Sequence, residues 1–212
     1  MTYSQFRHLA IERAMPAPTT AEIEAIETLL GAKLPATFRS YLEVANGGYL
    51  EYAINVDTGD GRIESISFCG LFRTGAGDFS DETFVGELRS CREFMKIPAG
   101  VLPFARDGGG SLVFLDLSSN DGGSVVAFIQ GLPGWAGRRT ESAFIKIASS
   151  FDEYLGNLHL DREAVIDHLI HDATESSQVI ATEEWLDIGL PRWKEDQELM
   201  QAVVQAKARL RA

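Results

Sequence analysis

Apolar positions along this chain recur first at helical and then at strand spacing. Ile23, Ile26 and Leu30 line one face of a short helix, which Thr19 and Glu22 open at capping-box spacing and Gly31 ends in a left-handed turn. A second helix starts at Pro35, and its Phe38, Tyr41, Leu42 and Ala45 fall at i, i+3, i+4 and i+7 as a single buried stripe. Asn46, Gly47 and Gly48 permit positive φ, so the chain turns sharply into a strand over 49–56. Alternating residues in 49–56 and 63–72 flank the turn 57–61 and predict a hairpin. Ahead of these elements, Phe6, Leu9, Ala10 and Arg13 have the spacing of a short N-terminal helix that Pro16 and Pro18 terminate.

The glycine-rich loop 73–83 leads to a helix with Phe84, Leu88 and Met95 as core positions. Strands follow at 101–105 and 112–117 around Arg106, Asp107 and three glycines, and again at 123–129 and 143–147 around the loop 130–142. Phe151, Tyr154, Leu155 and Leu158 then mark a helix with Ser150 and Glu153 at capping-box spacing. Strands joined by hairpin links between helix pairs predict an α+β fold, a mainly antiparallel (mixed) sheet covered by helices on one face.

Beyond residue 160 the pattern is helical: Val165 with Leu169, Ile166 with Ile170, then Leu199, Val203, Ala206 and Leu210. Between them Trp185, Leu186, Ile188, Leu190 and Trp193 are too dense to face water, so this C-terminal helical extension packs on the main domain or on a second copy. The expected division is an α+β domain with N-terminal helices over 1–159 and the extension over 160–212.

With 45% of its 212 residues hydrophobic, the chain can bury a full core. No window approaches the roughly 18 uninterrupted apolar residues of a membrane span, and the amino terminus has no separate apolar leader, so a cytoplasmic protein is expected. Cys69 and Cys91 lack C-x-x-C spacing and read as two reduced core thiols. The formal net charge is −12, and residues 51–87 carry eight acids against two bases. Such a field repels nucleic acid and anionic membrane and steers cationic partners.

Candidate chemistry is sparse. The glycines at 108–110 lack the Lys-Ser/Thr of a phosphate loop and precede a strand instead of a helix, which makes them a turn. His168 and His171, near Asp167 and Asp172, lack a third ligand and read as a solvated helix face. Asp57 and Asp60 have no reason to be buried as an acid/base pair, and no nucleophile motif occurs. The expectation is therefore no enzyme, no metal and no cofactor. Trp135, hinged by glycines beside Arg138 and Arg139, either anchors a protein contact or folds back on the sheet.

The segment GAKLPATFRSYLEVANGG at 31–48 with the acidic helix before it, then LPFARDGGGSLVFLDL, GSVVAFI and AFIKIASSFDEYLGNL in that order, resembles the SUKH superfamily. That superfamily includes bacterial toxin-immunity proteins and a fungal regulator of cell-wall assembly. The resemblance spans most of 19–158 and implies a non-catalytic protein-binding domain. It suggests an immunity protein that blocks a cognate toxin, such as a nuclease or another effector, whose basic surface meets this chain's acidic one. The expected contacts are Tyr49, Glu51, Tyr52, Asp57, Asp60, Asp78, Asp81, Glu82 and Trp135. Nucleic acid and membrane are not expected partners, and the chain would act as a monomer or as a homodimer through its C-terminal helices. The alternatives are a regulatory or scaffold protein of the same fold and a small-ligand-binding domain.

Overall fold

The structure, a computed structural model, describes residues 3–58, 61–75, 82–118, 123–136 and 140–211. Helix α1 (Thr20–Leu30) begins and ends as its sequence predicts: Thr19 and Glu22 exchange both capping-box hydrogen bonds, and Gly31 stops it at φ 68°. Helix α2 (Ala36–Leu42) starts one residue later than expected, with Pro35 as its N-cap, and buries Phe38, Tyr41 and Leu42. Glu27 locks the joint between the two. Its buried carboxylate accepts from the Leu34 N–H at 3.0 Å, from Lys33 Nζ at 2.6 Å and from Arg39 Nη2. Burial alone would raise its pKa; the Lys33, Leu34 and Arg39 hydrogen bonds outweigh that and hold it below the ordinary glutamate value.

The N-terminal segment is a β-hairpin, which corrects the helix expected from Phe6, Leu9, Ala10 and Arg13. Strands β1 (Tyr3–Phe6) and β2 (Leu9–Glu12) pair antiparallel with Phe6 opposite Leu9. Arg7 in the intervening two-residue turn takes φ 56°, the left-handed value that such turns demand. Leu9, Ala10 and Ile11 are all buried because β2 is covered on both faces, and a run of that kind carries no strand alternation to read.

The expected strand 49–56 divides into β3 (Gly48–Tyr49) and β4 (Ala53–Asp57). The stretch 63–72 divides likewise into β5 (Ile63–Ser67) and β6 (Gly70–Leu71). β4 and β5 form a separate two-stranded ribbon, the predicted hairpin, tied at its base by paired hydrogen bonds of 2.8 and 3.0 Å between Ala53 and His159. Helix α3 (Phe84–Ser90) ends in a π-helical turn, and strands β7 (Val101–Arg106), β8 (Leu112–Asp116), β9 (Ser124–Ile129) and β10 (Ala143–Ala148) follow. The large sheet runs β1-β2-β3-β6-β7-β8-β9-β10, with each pair of neighbouring strands antiparallel.

Helix α4 (Phe151–Asn157) packs with α2 on one face of this sheet. Phe38 is the hub there, its ring centroid 4.8 Å from Phe151, 5.7 Å from Phe104 and 6.3 Å from Phe84. The fold is α+β. Helices α5 (Arg162–Asp167), α6 (Ser176–Gly189) and α7 (Gln197–Arg209) follow, and α6 lies on β2. Trp193 and Leu186 are buried, as their dense apolar setting predicts, and one apolar core runs from Leu9 through to Ala206.

Cys69 and Cys91 are free thiols. Burial, followed by the charge of Glu87, pushes Cys91 up to about 12, which keeps it protonated and unreactive. Among the described residues no helix is long and apolar enough to cross a membrane.

A candidate acidic cleft

Residues opposite one another on neighbouring strands point to the same side of a sheet. Tyr3 opposes Glu12, and Glu12 opposes Tyr49, so the three stand in a row across β1, β2 and β3. Phe6, Leu9 and Ile11 point the other way, and Phe6 meets Tyr41 of α2 edge-on at 5.5 Å. The Tyr3–Glu12–Tyr49 row thus occupies the face that α1, α2 and α4 leave open, and the C-terminal extension covers its edge. Tyr3 Oη donates to the Ala181 carbonyl of α6 at 3.1 Å.

The row, the β4–β5 ribbon, α5 and α6 enclose an open cleft of about 540 Å³. Tyr52 forms its inner wall. The phenol is 2% exposed, donates to the His8 carbonyl at 2.8 Å and accepts from the Ala10 N–H at 3.1 Å. Trp185 on α6 meets it edge-on at 6.0 Å.

Five carboxylates line the cleft, those of Glu12, Glu51, Asp161, Asp167 and Asp172, and no lysine or arginine does among the described residues. Asp161 caps α5 through the Ala164 N–H. A π-helical turn continues α5 over His168–Asp172, bringing both of its end residues to the cleft, with His168 Nδ1 4.0 Å from Asp172 Oδ2. Partial burial and then repulsion from Glu12 raise the pKa of Glu51, against a smaller opposing pull from His168. Burial, with Glu12 and Glu184, pushes Tyr3 up to about 12. Tyr49 is raised as well, first through its hydrogen bond with Cys69, then by burial and Glu51. Ser67 Oγ on the ribbon wall is shut off from solvent and has no hydrogen-bond partner.

Of the residues predicted as contacts, the fold brings Tyr49, Glu51 and Tyr52 together in this cleft. Asp57 ends β4, exposed and outside it. Glu82 pairs with Arg106, which cancels its charge locally. Trp135, on a short 3-10 turn, is 88% exposed and so is not folded onto the sheet, and it lies apart from the cleft residues. Asp60, Asp78 and Asp81 lie outside the described residues, as do Arg138 and Arg139.

Sequence reasoning missed Tyr3 and Glu12, which it placed on a helix; its solvated face holds, since the side chains of Asp167 and Asp172 are 70% and 69% exposed, and the fold adds that this face borders the cleft. The available signal was the density of apolar residues around Trp185, which requires α6 to dock and so makes an inner side for α5. Among the described residues, no group of three or more His, Cys, Asp or Glu side chains is placed to hold a metal ion.

An antiparallel sheet with helices on one face, reached through an acidic helix, Leu-Pro and an Asn-Gly-Gly turn, defines an α+β class of domain. The chain belongs to the SMI1 / KNR4 family (SUKH-1), whose model matches residues 17–157. No curated protein matches the chain. The matched segment runs from α1 through α4, so Tyr3, Glu12 and every cleft residue of α5 and α6 lie outside it.

Proposed function

We propose that this chain is a protein-binding module of the immunity type, which captures a cognate toxin of basic surface through the acidic cleft. The observation that carries this reading is the set of five carboxylates around one cleft, with no lysine or arginine lining it among the described residues. A surface of one sign in a concave wall focuses its field, accelerates encounter with cations and orients them. Tyr49, at the mouth and 39% exposed, supplies an aromatic anchor that such a contact buries. The cleft is the negative face of this reading, and of the described acids in 51–87 only Glu51 belongs to it.

The test is association of the purified chain with the toxin encoded beside its gene, measured by stopped flow across a salt series. Reversing Glu12, Glu51 and Asp167 to lysine slows association by 10-fold or more and flattens its dependence on salt. An association rate unchanged by all three reversals removes the cleft as the binding face. A regulator of a cellular partner would be captured by the same face with no toxin gene adjacent.

A further inference from the structure

The cleft carries more information than its charge. Its walls combine four aromatic rings, Tyr3, Tyr49, Tyr52 and Trp185, with carboxylates on opposing elements, and its volume of about 540 Å³ falls within the range of built small-ligand pockets. Carboxylates alone would suit any cation. Aromatic faces beside them favour a cation that is planar, weakly hydrated and able to stack.

A second observation points the same way. Ser67 Oγ is buried in the ribbon wall with no partner, although a buried hydroxyl without a hydrogen bond costs roughly 1–3 kcal/mol. Glu12 and Glu51 line the same cleft and repel each other, against a smaller pull on Glu51 from His168. An occupant that donates several N–H groups and brings one positive charge would satisfy these groups together.

Resting on the reading proposed above, we infer that the cleft is a socket for an arginine side chain and its flanking backbone on the partner protein. The guanidinium stacks against Tyr49 and Trp185 and donates to Glu51 and Glu12. Lysine fits less well, because its ammonium is a compact, strongly hydrated charge that neither stacks nor forks. Glu12 and Trp185 lie outside 17–157, so the socket needs this chain's flanking segments together with Tyr49 and Glu51 of the matched domain.

The experiment titrates the full chain with the capped tripeptides acetyl-Gly-Arg-Gly-amide, its citrulline counterpart and its lysine counterpart. The readout is the indole N–H resonance of Trp185, distinguished from those of Trp135 and Trp193 by Trp185→Phe. The arginine peptide is expected to shift that resonance saturably, the lysine peptide to bind at least 3-fold more weakly and the citrulline peptide, uncharged but of the same shape, at least 10-fold more weakly. Glu51→Gln weakens the arginine peptide 10-fold or more, while Glu24→Gln on the exposed face of α1 leaves it unchanged. Glu51 is exposed enough for its variant to fold, and unchanged thermal unfolding checks this.

Equal binding of arginine and citrulline, equal or tighter binding of lysine, or no saturable shift overturns the inference. In those cases slowed toxin association in the charge-reversed cleft would still uphold the broader reading. Arginine binding as expected, with toxin association indifferent to the reversals, upholds the socket and overturns the broader reading.

Discussion

Tyr52 and Trp185 lie 133 positions apart in sequence, and their rings meet edge-on with centroids 6.0 Å apart. The contact joins the strand-bearing domain to α6 and forms the inner wall of the cleft. Replacing the half-buried Trp185 by alanine removes this wall and is expected to cost about 2 kcal/mol, less than a fully buried tryptophan because part of the ring already faces solvent. Thermal unfolding should fall by roughly 4–8 °C for a chain of this size. Trp185→Phe keeps the edge contact and should lose less than half as much.

Gly189 ends α6 directly over the same phenol. A Cβ there would sit 2.6 Å from Tyr52 Oη and 2.9 Å from Leu160 Cδ1, and the phenol is held by two hydrogen bonds. Gly189→Ala is therefore expected to destabilise by about 1–3 kcal/mol through overpacking. Gly156 of α4 has open space around it, so Gly156→Ala should stabilise by about 0.5–1 kcal/mol. Urea titration of the two variants separates a packing constraint from a general response to alanine.

Glu27 is the buried acid that fastens α1 to α2. Its alanine variant leaves the Leu34 N–H without its partner and strands the Arg39 guanidinium, whose Nε already lacks one. The expected loss is about 2–3 kcal/mol in urea unfolding, moderated because Lys33 remains in water. The pH dependence follows from the lowered pKa. A carboxyl more acidic in the fold than in the unfolded chain stabilises fully above the ordinary glutamate value near 4.5 and loses that contribution as pH falls through the folded value. Stability of the parent and the variant should therefore converge only at strongly acid pH.

Glu51 has the opposite sign. Its pKa is raised in the fold, so its ionisation opposes folding at neutral pH, and the opposition fades as pH falls through the folded value. Glu51→Gln is expected to raise the unfolding temperature by about 1–2 °C near neutrality. The gain should vanish in acid.

Both family helices, the caps of α1, the β4–β5 hairpin, the turn at 107–111 and the strands from β7 to β10 were legible in the sequence. Each is specified by near neighbours: Thr19 needs only Glu22, and Asp107 needs only the N–H groups of Gly109 and Ser111. The N-terminal hairpin was not legible, because burial of Leu9, Ala10 and Ile11 on two sides erases the alternation that marks a strand. Asn46 reads locally as a turn residue, yet its side chain also bonds the Pro16 carbonyl and the Thr74 N–H, both at 2.7 Å.

By itself the sequence determined the α+β class, the negative charge and the need for the C-terminal helices to bury Trp185, Leu186 and Trp193. Only the tertiary structure decided where the negative charge converges. Acids at 12, 51, 161, 167 and 172 become neighbours through strand register and helix docking, and neither leaves a local mark on the chain. Register is set by which face must be buried, and docking by which surfaces remain to be covered once the sheet exists.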